Sequence, residues 1–264
     1  MNYLEINQNL WNKKTDIHYK SDFYDVPAFI NGKSSLNPIE LELLGDLRGK
    51  SVLHLQCHFG MDTISLSRLG AKATGIDLSD KAIEKARELA NQAGTDTQFI
   101  QSDVYSLKEA LTQKYDIVYT SYGVIGWLPD MNKWAEIINH FLKPGGKFIM
   151  VEFHPVVWMF SYDFKKIEYN YFGGSPIIEE LEGTYTDSSK KSDIKEQSVS
   201  WNHSLAEVIT ALLKKGLSVD HFNEYDYSPY NCFDNTIENT KGKYQINGIG
   251  NKIPMLYSIV CSRS

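Results

Sequence analysis

From Lys50 onward, short runs of β-branched residues alternate with amphipathic segments whose apolar positions recur with helical spacing. This alternation is typical of an α/β fold in which helices cover both faces of a parallel sheet. The predicted strands are 51–55, 71–77, 98–102, 115–120, 147–152, 219–227 and 255–261. The predicted helices follow the turn at 56–60, span 81–92 and 133–142, and begin at the Ser204–Glu207 capping box.

The alternation stops for about 45 residues after the fifth strand. Such segments inside a compact domain are usually lids or mobile loops. Seven of the fifteen residues in 158–172 are aromatic, too many for an exposed linker. We therefore predict one domain, 1–264, made of an N-terminal cap segment (1–48), a cofactor-binding core (49–154), a lid or substrate insertion (155–200) and a C-terminal helix with strands (201–264).

Composition narrows the class of partner. The chain has 264 residues and a formal net charge of −6, which argues against a nucleic-acid partner because such affinity comes from clustered Lys and Arg. The sequence shows neither the roughly 18-residue apolar run of a membrane helix nor a secretory signal, so we expect a cytoplasmic protein without a membrane partner. Cys57, Cys232 and Cys261 lack disulfide or zinc spacing, which predicts reduced thiols.

Two carboxylates lie at the carboxyl ends of the second and third predicted strands. In a doubly wound sheet the ligand lies at the carboxyl ends of the strands, beside the loop after the first strand, here 56–60. That loop does not suit a diphosphate, because Gln56 and His58 hold two positions where glycines would be needed. Asp77 can accept both ribose hydroxyls of an adenosine, and Asp103 can accept from an adenine amino group. These residues predict a nucleoside ligand without a diphosphate; helix capping is the alternative role for each Asp.

Several blocks of the chain carry a more specific pattern. They are Ser35–Glu40, Val52–Thr63, Thr74–Asp77, Thr120–Gly123, Gly126–Asp130, Lys143–Gly146, Val151–Pro155 and Trp201–Leu205. They resemble the class I S-adenosylmethionine-dependent methyltransferases, and within them a bacterial group that carries HLQCHFG in place of the usual acidic, glycine-rich first motif. The resemblance implies a Rossmann-like fold with a doubly wound, seven-stranded, mostly parallel sheet and an antiparallel final strand. It also implies S-adenosylmethionine as methyl donor, with S-adenosylhomocysteine as product.

The resemblance further implies where the cofactor binds: its amino acid part over the first loop, its ribose at Asp77, its adenine beside Asp103, and its methyl group near the loop after the fourth strand. The residues expected to contact it are His54, Gln56, Cys57, His58, Gly60, Asp77, Leu78, Ser102, Asp103, Val104, Ser121, Tyr122, Trp11 and Tyr24. The chain departs from the superfamily at His54, which stands where an acidic residue usually orients the methionine ammonium. A neutral His54 can accept through one ring nitrogen, and a purely structural histidine is the alternative.

Transfer from a sulfonium mainly requires alignment and exclusion of water. A base helps if the acceptor is an alcohol, phenol, thiol or protonated amine. The candidates are Glu152 and His154 at the end of the fifth strand and His203 before the capped helix, while Tyr122 follows the fourth strand and is expected to face the methyl group. A structural hydrogen bond or a core contact is the alternative for each. The histidines lack the tight spacing of metal ligands, so no metal is expected.

The N-terminal segment and the aromatic insertion are expected to close a dry chamber, which favours a small-molecule acceptor over a protein or polynucleotide. Three other functions stay open: a nucleotide-dependent oxidoreductase, which the missing glycines oppose; a protein that binds S-adenosylmethionine without transfer; and a methyltransferase for tRNA or protein, which the charge and the lid oppose. The residues leave the acceptor, the methylated atom and the oligomeric state open.

Overall fold

The computed structural model describes residues 2–186, 195–233 and 235–264. Strands and helices alternate between residues 51 and 153, as predicted. The helices are α1 (Tyr3–Tyr19), α2 (Val26–Ile30), α3 (Pro38–Leu44), α4 (Met61–Arg68), α5 (Asp80–Gln92), α6 (Leu107–Ala110), α7 (Met131–Phe141) and α8 (Leu205–Lys214). The strands are β1 (Ser51–Leu55), β2 (Lys72–Asp77), β3 (Gln98–Gln101), β4 (Tyr115–Ser121), β5 (Leu142–Phe153), β6 (Ile177–Glu182), β7 (Lys195–Ser200), β8 (Leu217–Tyr225), β9 (Thr236–Thr240), β10 (Lys243–Ile246) and β11 (Leu256–Arg263).

Seven strands form one sheet in the order β3-β2-β1-β4-β5-β11-β8. The first five of these are parallel, and β11 runs antiparallel to both of its neighbours. The predicted α/β fold, with a seven-stranded, mostly parallel sheet and an antiparallel final strand, is confirmed. The strand order reverses between β1 and β4, and open α/β sheets bind ligands beside this switch point.

Neighbouring residues of the central strands pack on opposite faces of the sheet. Leu53 of β1 belongs to the same buried cluster as Trp134 of α7 and Leu212 of α8. Val52, one residue earlier, belongs to the cluster of the other face with Leu66 of α4. Both residues of β1 are fully buried. Because helices cover both faces, the carboxyl ends of the strands are the part of the sheet open to a ligand.

The predicted N-terminal cap contains a 17-residue helix, α1. The Asn7 amide donates to the carbonyl of Val199 in β7 at 2.8 Å and accepts from its N–H at 3.0 Å, as a neighbouring strand would. Asn12 accepts from the Ser79 hydroxyl at 2.6 Å and donates to Asp80 at 2.8 Å, where α5 begins. Side-chain hydrogen bonds therefore fix α1 to both the insertion and the core.

The insertion differs from the sequence prediction, which gave it no regular structure. β6 and β7 form an antiparallel pair within it. Alternate residues of β6 are only half-buried, and the strand is rich in Glu, so its alternation is weak beside that of the core strands. A second antiparallel pair, β9 and β10, lies between β8 and β11, where no strand was predicted. Residues 187–194 of the predicted insertion lie outside the described residues.

Membrane spanning requires a long apolar helix, about 20 residues for a typical bilayer. Within residues 2–186, 195–233 and 235–264, no helix is both long enough and apolar enough to cross a bilayer. Even α1 has only 17 residues and carries charged side chains such as Glu5 and Lys13.

Candidate active site

A cavity of about 1250 Å³ lies at the carboxyl ends of β1 to β5, and α1, the loop after β1 and β6 contribute to its walls. Pockets of roughly 300–1000 Å³ accommodate one small ligand, so this cavity has room for a cofactor and a second small molecule. Every residue predicted to contact the cofactor lines it, namely Trp11, Tyr24, His54, Gln56, Cys57, His58, Gly60, Asp77, Leu78, Ser102, Asp103, Val104, Ser121 and Tyr122.

The loop after β1 keeps a glycine-like backbone without the glycines. Gln56 and His58 have φ angles of 56° and 51°, in the left-handed region that side chains other than glycine rarely adopt. The Gln56 amide is anchored by donating to the carbonyl of Val124 at 2.8 Å. Gly60 has φ 81°, and a Cβ at this position would lie 2.5 Å from the Phe99 ring. The loop is therefore as tight as a glycine-rich one, but it presents polar side chains to the cavity.

Asp77 is the last residue of β2, and its carboxylate is hydrogen-bonded to the loop after β1. Its Oδ2 accepts the N–H of His58 at 2.8 Å, and its Oδ1 accepts the N–H of Ser79 at 2.9 Å. Burial raises the pKa of Asp77 to about 6, although the hydrogen bonds from Ser79 and His58 lower it. A carboxylate offers about four acceptor positions. Each oxygen therefore keeps capacity for a ligand, and the group can take two neighbouring hydroxyls.

Asp103 lies at the β3 end of the cavity, two residues after Gln101, which pairs with Asp77 of β2. Its Oδ2 accepts the N–H groups of Tyr105 and Ser106 at 3.0 and 3.1 Å, in the turn before α6, whose N-cap is Ser106. These bonds use one oxygen, and Oδ1 is left to accept from a ligand. Leu4 of α1 and Leu78 line the same end. Apolar side chains beside one free acceptor suit a flat ring that carries an amino group.

His54 is buried in β1. Burial lowers the pKa of His54 to about 3, so the ring is neutral near neutral pH. Its Nδ1 lies 2.8 Å from the Thr63 hydroxyl, and the ring packs against Tyr119 with centroids 4.8 Å apart. Within the described part of the chain, Nε2 has no hydrogen-bond partner. His54 can therefore offer a ligand one neutral hydrogen-bonding atom but no charge.

A carboxylate that was not predicted as a site residue also lines the cavity. Asp62 lies in the first turn of α4 and accepts from the Ser121 hydroxyl at 3.3 Å. Burial raises the pKa of Asp62, while hydrogen bonds from Ser35 and Ser121 lower it. Across the residues that the structure describes, no ion pair joins Asp62 to a cation. Asp62 is thus a negative charge that a cationic ligand can neutralise.

Aromatic side chains of the cap close over the first loop. His18 Nδ1 lies 2.9 Å from His58 Nε2. Burial lowers the pKa of His18 to about 2 and that of His58 to about 3, so the two rings are neutral and one donates to the other. Trp11 packs edge-on against His58 with centroids 5.3 Å apart, and the Tyr24 hydroxyl lies 2.6 Å from that of Tyr185 in the insertion. The His58 side chain therefore joins the core to the cap.

Tyr122 follows β4 with a φ of 21°, at the edge of the left-handed region. Its hydroxyl donates to Glu40 Oε2 at 2.7 Å. The Asn37 amide donates to Glu40 Oε1 at 3.0 Å and to the Tyr230 hydroxyl at 2.7 Å. Glu40 is fully buried, and burial raises its pKa to about 7. Tyr122, Asn37 and Tyr230 line the cavity, and the carboxylate lies behind them.

Glu152 lines the cavity, but its oxygens are occupied. Its carboxylate accepts backbone N–H groups from Gly123, from Val124 at 2.9 Å, from Ile125 at 3.2 Å and from Phe153 at 2.6 Å. Burial raises the pKa of Glu152, and these hydrogen bonds oppose the rise. The carboxylate thus holds the loop after β4 in place.

The other two candidate bases do not line the cavity. His154 Nδ1 accepts the N–H of Val156 at 3.2 Å, and its Nε2 lies 2.9 Å from Glu224 Oε1. His203 Nε2 lies 2.8 Å from the carbonyl of Leu128. The structure therefore does not bring either ring to a reacting group, and their catalytic role stays a prediction. Among the described side chains, no group of three or more His, Cys, Asp or Glu is arranged to hold a metal.

The sequence did contain a signal for the residues that were not predicted. Asp62 lies inside the Val52–Thr63 block, and Asn37 and Glu40 lie inside the Ser35–Glu40 block. Both blocks were noted for their resemblance, but Asp62, Asn37 and Glu40 were not assigned to the site. Since Glu40 and Asn37 precede the first strand, only the fold shows that they approach the end of β4.

Part of the chain is similar in sequence to known methyltransferases. Residues 52–146 match the family model of a methyltransferase domain. A ubiquinone biosynthesis O-methyltransferase of Serratia proteamaculans is 30% identical over 130 residues, which is 48% of this chain and 54% of that protein. The enzyme of the same name from Nitrosococcus oceani is 34% identical over 115 residues, or 42% of this chain and 48% of that protein. The chain thus matches about half the length of these relatives.

A solved structure extends the similarity to most of the chain. A Listeria monocytogenes protein described as an S-adenosylmethionine-dependent methyltransferase superposes with a TM-score of 0.63 at 20% identity, covering 86% of this chain and 96% of that protein. At this identity the likeness concerns the fold. Residues 52–146 are therefore similar in sequence to a methyltransferase domain, and the chain around them has the Rossmann-like methyltransferase fold.

Proposed function

We propose that this protein transfers the methyl group of S-adenosylmethionine to a small molecule. The observation that carries the proposal is the pair of carboxylates Asp77 and Asp103 on one cavity, next to a tight first loop, inside the segment that matches a methyltransferase domain. We also propose that the chain belongs to the bacterial methyltransferase group that carries HLQCHFG in its first motif.

The residues present fit the cofactor. The spare acceptor positions of Asp77 suit the two ribose hydroxyls, and Asp103 Oδ1 suits the adenine amino group. The amino acid part then extends over the first loop, where Gln56 Oε1 and His54 Nε2 are buried polar atoms without a partner among the described residues. Buried polar groups are normally hydrogen-bonded, so these two atoms support a polar ligand at this place.

When bound, S-adenosylmethionine would supply an activated methyl group on a sulfonium. The protein would then align the acceptor and exclude water. Trp11 and Tyr24 of the cap and Tyr185 of the insertion line the cavity, and this aromatic lining favours a small acceptor over a folded protein or a duplex. The acceptor that we propose is therefore a small molecule, and the names of the O-methyltransferase relatives support an oxygen as the methylated atom.

We further propose that Asp62 neutralises the ammonium of the cofactor. His54 occupies the usual acidic position but is neutral. Asp62 lines the same cavity without a cation, and its partner Ser121 ends β4. A cofactor whose adenosine is held by Asp77 and Asp103 would extend its amino acid along the cavity that Asp62 also lines. Asp62 would therefore replace the missing acid.

Asp62→Asn is expected to weaken the binding of S-adenosylhomocysteine by about tenfold to a hundredfold, which is the typical effect of losing a charge-assisted hydrogen bond. 5′-Methylthioadenosine lacks the amino acid, so its affinity should stay unchanged. Calorimetric titration of both ligands measures the two effects. Asp96→Asn, the same change in an exposed loop, is the control. Equal weakening of both ligands would show that Asp62 acts only on the structure of the pocket.

The proposed function itself is tested by titrating the unaltered protein with S-adenosylmethionine and S-adenosylhomocysteine. Micromolar binding of both is expected, and bound S-adenosylmethionine should then label small phenols, alcohols or amines in an acceptor screen that uses a radioactive methyl group. A folded protein that binds neither ligand would contradict the proposal. Binding without transfer to any acceptor would favour a sensor of the cofactor.

A further inference from the structure

A fully buried carboxylate, for which the described residues supply no ion-pair partner, lies directly behind the cavity wall. Glu40 receives hydrogen bonds from Asn37 and Tyr122. The other titratable groups that face it come from α4, β4 and the loops after β8, and they are Asp62, Tyr119, Tyr227 and Tyr230. None of these groups is a cation, and an unpaired buried charge is costly. The position of Glu40 therefore favours a state in which this carboxyl can gain a proton.

Tyr122 connects this carboxyl to the cavity. Its hydroxyl proton is directed at Glu40 Oε2, at 2.7 Å, so its free acceptor positions are left for a ligand. The Asn37 amide fixes the other oxygen of Glu40 and also holds Tyr230. Burial raises the pKa of Glu40 to about 7, and a group with such a pKa can both accept and release a proton near neutral pH.

We infer that Tyr122 and Glu40 form a relay for the proton of a protic acceptor, a small molecule whose nucleophilic atom carries O–H, S–H or N–H. This inference rests on the proposed function. Tyr122 would touch the acceptor, whereas Glu40 acts through Tyr122 and positions its hydroxyl.

The step balances in atoms and charge. The nucleophile forms its bond to the methyl carbon as the carbon–sulfur bond breaks, and that electron pair stays on sulfur. The nucleophile's proton passes to the Tyr122 oxygen, and the Tyr122 proton passes to Glu40 Oε2. The positive charge on sulfur and the negative charge on Glu40 are lost together, which a buried site of low polarity favours. The Glu40 carboxyl then returns its proton to solvent.

The test compares two ligands that differ in one charge. S-adenosylmethionine and S-adenosylhomocysteine carry the same ammonium and carboxylate, but only the first carries a sulfonium. Each ligand is titrated by calorimetry near neutral pH in phosphate and in Tris. Because these buffers have different heats of ionisation, the difference between the two binding heats gives the number of protons released. A sulfonium near the relay favours the ionised form of Glu40. If it makes Glu40 a tenfold stronger acid, S-adenosylmethionine releases about 0.4 of a proton more than S-adenosylhomocysteine.

Glu40→Gln should abolish this difference while both ligands still bind. Glu42→Gln makes the same change at an exposed position of α3 and should leave the difference intact. Tyr122→Phe is the second variant. It removes a hydrogen bond that lowers the pKa of Glu40, so the extra proton release should move to higher pH.

Equal proton release by the two ligands in the unaltered protein would overturn the relay. A Glu40→Gln protein that keeps the difference would also overturn it, because another group would then be titrating. If Glu40→Gln does not fold, the pH shift in Tyr122→Phe decides, and no shift counts against the relay. Failure of the proposed function looks different, because the unaltered protein would then bind neither ligand.

Discussion

Asp77→Ala is expected to weaken the binding of S-adenosylhomocysteine by about a hundredfold or more. The variant removes two acceptor positions for the ribose hydroxyls, and charge-assisted hydrogen bonds contribute about 1.5–3 kcal/mol each. It also frees the N–H groups of His58 and Ser79, which hold the first loop against β2. Calorimetric titration measures the loss directly.

The pH dependence of S-adenosylhomocysteine binding gives a second test of the role of Asp77. Burial raises the pKa of Asp77 to about 6, and a protonated carboxyl accepts fewer hydrogen bonds. Binding by the unaltered protein should therefore weaken as the pH falls through about 6. Asp96→Ala at an exposed position is the control and should bind normally. An Asp77→Ala protein that is folded and keeps its affinity would show that the nucleoside lies elsewhere.

The sequence predicted the central strands well because they are buried on both faces. The first strand was predicted at 51–55, and β1 is Ser51–Leu55; the two final strands were also found, with β11 antiparallel as the resemblance implied. Continuous apolar runs in such strands leave a strong pattern. By contrast, α1 buries polar residues such as Asn7 and Thr15, so it has no continuous hydrophobic stripe and its helix was not predicted.

In the site, too, the sequence predicted what depends on strand position but not what depends on contacts with distant parts of the chain. Asp77 and Asp103 follow predicted strands, and topology alone brings strand ends together, so both were placed on the cavity. Glu152 and His154 also end a strand, yet the first binds four backbone N–H groups and the second faces Glu224. Strand position does not determine which face a side chain meets or which partners occupy its oxygens. Those contacts depend on loops from distant parts of the chain.

Glu152→Gln is expected to destabilise the protein by about 3 kcal/mol and to lower its Tm by about 10 °C. Each carboxylate oxygen accepts two backbone N–H groups. In the variant, the NH₂ group of Gln replaces one of these oxygens, so two backbone N–H donors lose their acceptor and face another donor. A buried donor without an acceptor costs about 1–3 kcal/mol. Thermal unfolding followed by circular dichroism measures the change, with Glu109→Gln at an exposed position as the control.

This prediction separates an anchoring role of Glu152 from the catalytic role that its sequence position indicates. A catalytic base contributes little to folding, so its replacement by Gln would leave the Tm near that of the unaltered protein and reduce only turnover. An anchor of the loop after β4 would lower the Tm, and S-adenosylhomocysteine should recover part of the loss because a ligand that binds the folded state stabilises it. An unchanged Tm would return Glu152 to the candidate bases and would mean that the backbone N–H groups of Gly123 to Ile125 find other acceptors.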